Sequence, residues 1–87
     1  MRASHILVDS LEQAQELRTL IEGGQDFGDL ARQHSKCPSS QNDGDLGEFQ
    51  RGQMVPSFEM ATLALGIGGL SSPVRTQFGY HLIKRTA

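Results

Sequence analysis

The chain has a single cysteine, Cys37, so it cannot close an internal disulfide. A reducing compartment is the expectation, and the cytoplasm is the simplest one. No apolar run is long enough to span a membrane. The opening stretch, MRASHILVDS, lacks the long apolar core of a signal peptide. These absences point to a soluble cytoplasmic domain, whether whole or cut from a longer chain. An excess of one charge is missing too. Eight lysines and arginines against ten acids leave a formal charge of −2, and the cations form no stripe. Nucleic-acid-binding domains are usually clearly basic, so that class is disfavoured. There is no internal repeat, low-complexity tract or linker, and 87 residues leave room for one domain, spanning 1–87. We expect a monomer with no nucleic-acid or membrane partner.

Metal signatures are also missing. His5, His81 and Cys37 could be imagined around zinc, but the chain has no paired CxxC or HxxxH. Asn42-Asp43-Gly44-Asp45 echoes a calcium loop, yet it lacks the alternating oxygen ligands and the distal glutamate. It reads as a turn. No cofactor is expected.

What is present is organised around Ser35 to Phe58, SKCPSSQNDGDLGEFQRGQMVPSF. Polar, flexible chain here carries Cys37 and then Phe49, Met54 and Phe58. That mixture suits a small apolar pocket with a polar rim. His5 near the start and His81 near the end are the remote groups that could complete a cleft.

Local patterns predict the elements. Arg2 to Val8 reads as a strand, with Ala3, His5 and Leu7 on one face and Ser4, Ile6 and Val8 on the other. Ser10-Leu11-Glu12-Gln13 is a capping box for a helix carrying Leu11, Ala14, Leu17 and Ile21 on one stripe, with Leu20 beside it. Gly23-Gly24 stops that helix. Asp26 can cap a second one, to about Ser35, with Phe27, Leu30 and Ala31 inward. Leu17, Leu20, Phe27 and Leu30 are expected in the core. Lys36 to Gly44 reads as loop, Leu46 to Gln50 as a short edge strand, and Arg51-Gly52-Gln53 as a turn. Pro56 suits the first turn of a third helix bearing Phe58, Ala61 and Leu65, ended by Gly66. Leu70 to Thr76 is extended, Gln77-Phe78-Gly79 turns, and Tyr80 to Arg85 is a last strand. The order is strand, helix, helix, strand, helix, strand, strand. An α+β fold with a small antiparallel sheet and helices packed on it fits this order better than a parallel wound sheet.

Several segments in order also resemble one family. ASHILV (Ala3–Val8), HSKCPS (His34–Ser39), GDLGEF (Gly44–Phe49), RGQMVPSFE (Arg51–Glu59) and PVRTQFGYHLIK (Pro73–Lys84) are similar to a parvulin-type peptidyl-prolyl cis/trans isomerase, a rotamase, over essentially the whole chain. The resemblance implies a four-stranded antiparallel sheet surrounded by helices, the FKBP-like superfold. It implies paired histidines at His5 and His81, a polar pocket residue at Cys37, and Thr76 hydrogen-bonding within the histidine network. It implies a proline pocket of Leu46, Met54 and Phe58, with Phe78 on the far wall. Partners would be proline-containing peptides and unfolded or partly folded proteins. The phosphoserine-directed branch carries a basic cluster after the first strand. Here that loop is Val8-Asp9-Ser10-Leu11, with an acid and no cation, so no phosphoserine preference is expected. There is no tryptophan, so no WW domain accompanies it. The likeness is to small single-domain prokaryotic members.

Three other readings stand beside this one. Each histidine taken alone is a structural strand residue, and His34 is read as structural or solvent-facing. A Cys–His hydrolase would want a cysteine activated at a helix N-terminus or by an adjacent base, whereas Cys37 follows a helix and precedes Pro38. A peptide-binding, chaperone-like module with little turnover would need the same pocket.

Overall fold

A computed structural model describes residues Met1–Ala87. The chain forms strand β1 (Arg2–Val8), helices α1 (Leu11–Glu22) and α2 (Phe27–His34), a 3-10 helix (Pro38–Asn42), strand β2 (Asp45–Glu48), helix α3 (Pro56–Ala64), and strands β3 (Val74–Thr76) and β4 (Gly79–Arg85). The four strands make one antiparallel sheet in the order β2-β1-β4-β3. The first and last strands of the chain are therefore the central pair. Both bury residues on both faces along their middle, from Ala3 to Ile6 in β1 and from His81 to Ile83 in β4.

Alternation along β1 and β4 divides the core in two. Ile6, Val8 and Leu82 face α1 and α2, and pack with Ala14, Leu17, Phe27, Leu30 and Ala31. Ala3 and Ile83 face the other way and pack with Phe49 and Phe58 under α3. The N-caps form as read, though the capping box is made only from the Ser10 side. Ser10 Oγ accepts from the Gln13 amide at 3.1 Å, and the Asp26 carboxylate accepts from the Asp29 amide at 3.0 Å.

Three expectations need correction. Leu20 is 40% exposed rather than core, because Leu17 and Ala14 already fill the face that α1 turns to the sheet. The stretch read as loop from Lys36 to Gly44 contains a 3-10 helix, in which Ser40 donates to the Cys37 carbonyl at 2.9 Å and Pro38 tolerates the first position. The edge strand runs Asp45–Glu48, one residue earlier at its start and two at its end. Gly23-Gly24 ends α1 as read, with Gly24 taking the positive-φ position at φ 111° and Gly23 staying right-handed at φ −78°.

Candidate functional site

Strand register decides where the two histidines meet. His5 lies opposite Ile83 and Leu7 opposite His81 across the β1–β4 pair. His5 and His81 are therefore diagonal neighbours on one face, within reach of each other's rings. Their Nδ1 atoms are 2.9 Å apart, and the rings stack at 5.1 Å with 18° between planes. Both residues are 4% exposed. Phe58 of α3 sets its ring edge-on to both, at 5.5 and 5.4 Å. Thr76, at the end of β3, places Oγ1 2.7 Å from His81 Nε2 and accepts from the Phe78 amide at 3.2 Å.

These contacts allow two proton orders, and the surroundings of His5 Nε2 favour one of them. His5 Nε2 is buried with no partner. A proton there would be a buried N–H donor without an acceptor, which folded proteins rarely keep. We therefore assign the His5 proton to Nδ1, which donates to His81 Nδ1. His81 then carries its proton on Nε2 and donates to Thr76 Oγ1. The chain of bonds runs one way, from His5 through His81 to Thr76. Burial, aided by repulsion from His81, pushes the His5 pKa down to about 4 from 6.5. Burial also lowers His81. Both imidazoles are neutral at pH 7.

Above this pair lies a cavity of about 500 Å³ with a mostly apolar lining. It receives His5 and His81 from the sheet, Cys37 from the loop after α2, Leu46 from β2, Met54 from the turn before α3, Phe58 from α3 and Phe78 from the β3–β4 turn. Seven of the eight residues singled out in the sequence thus converge on one hollow. Thr76 stands behind His81 and does not line it. Phe78 is 60% exposed and stands at the rim. Phe49 is buried and supports Phe58 from behind, with ring centroids 6.3 Å apart. His34 is exposed on α2 and takes no part.

The loops of the cavity are tied down. Ser35 Oγ accepts from the amides of Leu7 and Cys37, at 3.0 and 3.4 Å, and the Lys36 amide donates to the Leu7 carbonyl at 2.8 Å. Cys37 is thereby hung from β1. The His5 amide donates to the Gly44 carbonyl at 2.9 Å. Gly44 sits at φ 81°, and a Cβ there would come 2.5 Å from the His5 carbonyl oxygen, so only glycine lets β2 approach. The turn before α3 is held by Gly52 donating to the Glu59 carboxylate at 2.7 Å and by Gln50 donating to the Gln53 side chain at 2.7 Å.

Five further lining residues escaped the sequence reading: Leu7, Lys36, Pro38, Gln53 and Val55. Leu7 was legible, since it shares the His5 face of its strand. The others depend on how two loops fold, which no periodicity reports. Cys37 is half-buried and a free thiol. No three His, Cys, Asp or Glu side chains are grouped so as to hold a metal ion. No helix is long and apolar enough to cross a membrane.

A family model described as the rotamase, PPIC-type PPIASE domain, matches residues 5–87. Among curated proteins the chain is 49% identical over 87 residues to the foldase protein PrsA of Geobacillus sp. strain WCH70, covering 99% of this chain and 32% of that one. It spans about a third of the length of such relatives. Among solved structures it superposes on PrsA from Bacillus anthracis with a TM-score of 0.99 at 43% identity, covering 100% of this chain and 41% of that one. It superposes on NmPin, the parvulin of Nitrosopumilus maritimus, with a TM-score of 0.90 at 39% identity, covering 100% of this chain and 95% of that one. The match to the family model over nearly the whole chain, together with the shared four-stranded fold, shows that this chain belongs to the PPIC-type peptidyl-prolyl isomerases, the parvulins.

Proposed function

We propose that residues 1–87 form one peptidyl-prolyl cis/trans isomerase domain that rotates X–Pro amides in peptides and folding proteins without covalent chemistry. The observation that carries this reading is the pair of neutral, hydrogen-bonded histidines flooring an apolar cavity of about 500 Å³. The Cα radius of gyration of 11.4 Å supports a self-contained unit, since a compact chain of this length has about 12 Å.

The reaction asks for modest help. Rotation of the amide faces a barrier of about 18–20 kcal/mol because it destroys resonance. Turnover of roughly 10–1,000 per second corresponds to a barrier of about 15 kcal/mol, so about 5 kcal/mol must be removed. The planar amide is the more charge-separated form, and in the twisted form the nitrogen lone pair localises and the carbonyl becomes ketone-like. A dry apolar cavity favours the twisted form. Leu46, Met54 and Phe58 clamp the proline ring, and Phe78 closes the rim. His5 and His81, held in one tautomeric order by Thr76, give a rigid neutral floor. Cys37 sits by the rotating carbonyl as a polar wall.

The loop after β1 supports the absence of a phosphoserine preference: its one charged side chain, Asp9, is an acid. The name foldase borne by the curated relatives supports partly folded proteins as substrates. We take the domain to be cytoplasmic, which one unpaired cysteine allows, and to act as a monomer without nucleic acid or membrane; sedimentation of the purified chain tests the monomer.

The decisive experiment is proline-isomer exchange on short X–Pro peptides, read by NMR with catalytic amounts of the protein. Accelerated exchange is expected. Binding without acceleration would instead make the domain a peptide-holding module. A strong preference for phosphoserine-proline peptides would overturn the specificity reading.

A further inference from the structure

Lys36 is the one lysine, arginine or acid among the residues that line the cavity. Its backbone is fixed, because the Lys36 amide donates to the Leu7 carbonyl of β1. Its neighbour in sequence is Cys37, the polar wall of the same cavity. Its ammonium is ion-paired with the carboxylate of Asp9, in the loop between β1 and α1. Asp9 is not among the lining residues. The residue next to Cys37 therefore carries a cation whose charge is answered by an acid outside the cavity lining.

We propose that the Lys36–Asp9 pair sets how the domain treats a charged residue before proline, with Lys36 as the specificity-determining group and Asp9 as its built-in competitor. This rests on the isomerase reading of the cavity. Residue X of an X–Pro segment is joined to the rotating carbonyl, which lies beside Cys37. An acidic X side chain thus reaches the neighbourhood of Lys36. With Asp9 in place the acid meets a neutralised pair and gains nothing, which gives indifference to charge. Without Asp9 the same acid meets a free ammonium. Lys36 and Asp9 side chains are 55% and 67% exposed, so the effect is that of a solvent-screened pair. Such pairs change an equilibrium by roughly 1.5- to 5-fold.

The test compares Glu–Pro with Gln–Pro peptides, which differ only in charge. It uses the wild type, Asp9→Asn, Lys36→Met and the double variant, at low salt. Both kcat/KM for exchange and Kd from peptide titration are read, so that peptides bound but not turned over would sink the isomerase reading and leave this one measurable. The wild-type Glu:Gln ratio should be near one. It should rise about threefold in Asp9→Asn, fall below one in Lys36→Met, where Asp9 is left to repel, and return to near one in the double variant. In about 0.5 M salt, where screening acts within roughly 4 Å, the Asp9→Asn gain should collapse. An unchanged ratio in Asp9→Asn overturns the proposal. So does a gain that persists when Lys36 is also removed, or a wild type that already favours Glu severalfold.

Discussion

Acid should unfold this domain through His5 well before its carboxylates matter. In the folded state burial and His81 hold the His5 pKa at about 4, against 6.5 for a free histidine. The unfolded chain therefore binds a proton that the folded chain refuses. The resulting stability is fully present above pH 6.5 and is lost as pH falls toward 4. One pKa unit is worth 1.36 kcal/mol, so the loss at pH 4.5 is about 2–3 kcal/mol for His5 alone. His81, also lowered by burial, adds in the same direction. Domains of this kind have about 5–15 kcal/mol in total, and one kcal/mol moves Tm by roughly 4–8 °C at this size. A fall in Tm of roughly 10–20 °C between pH 7 and 4.5 is expected. Asp45 behaves in the same sense, since its hydrogen bond with Arg2 holds its pKa below 3.8, but its window lies below that of the histidines. The assay is a series of urea midpoints from pH 7.5 to 4.5, repeated on His5→Asn. The wild-type midpoint should fall steeply below pH 6.5, while the variant, less stable at pH 7, should show a shallower slope. Parallel slopes would refute the claim that a buried neutral His5 underlies the acid sensitivity.

Other perturbations separate the parts of the site. Thr76→Val removes the acceptor of the His81 Nε2 proton and should cost about 1–3 kcal/mol, with activity falling more than the melting curve explains. Cys37→Ser and Cys37→Asp should keep exchange within about tenfold of wild type; near-abolition in the serine variant would mean that the thiol attacks the carbonyl. Phe58→Ala empties a position 3% exposed and should cost about 3–5 kcal/mol, so its activity must be read only where it is folded. Met54→Ala, at a half-buried rim position, should lower kcat/KM with a much smaller change in Tm. Gly44→Ala drives a Cβ onto the His5 carbonyl and should destabilise the domain and loosen His5 together, seen as a lower Tm and shifted His5 imidazole resonances.

Most of the secondary structure was legible because its causes are local. Ser10 and Asp26 cap the helices they precede, and Pro56 opens α3 as its missing amide hydrogen allows. The alternation that sets His5 with Leu7, and His81 with Ile83, follows from the two-residue period of a strand. Motif order identified the residues that converge on the cavity. Loop interiors were not legible in the same way. The Lys36 backbone is fixed by a hydrogen bond to Leu7 of the remote β1, while the 3-10 helix after Cys37 and the turn carrying Gln53 close on short-range bonds that no apolar period reports.

By itself the sequence determined which side chains share a face, where helices begin, and which chemical groups were available to a site. Only the tertiary structure decided that His5 and His81, 76 residues apart, would touch, because antiparallel register between the first and last strands is a non-local choice. The same packing set their neutrality and proton order, since burial and an unpartnered ring nitrogen exist only once Phe58 and the sheet have closed over them.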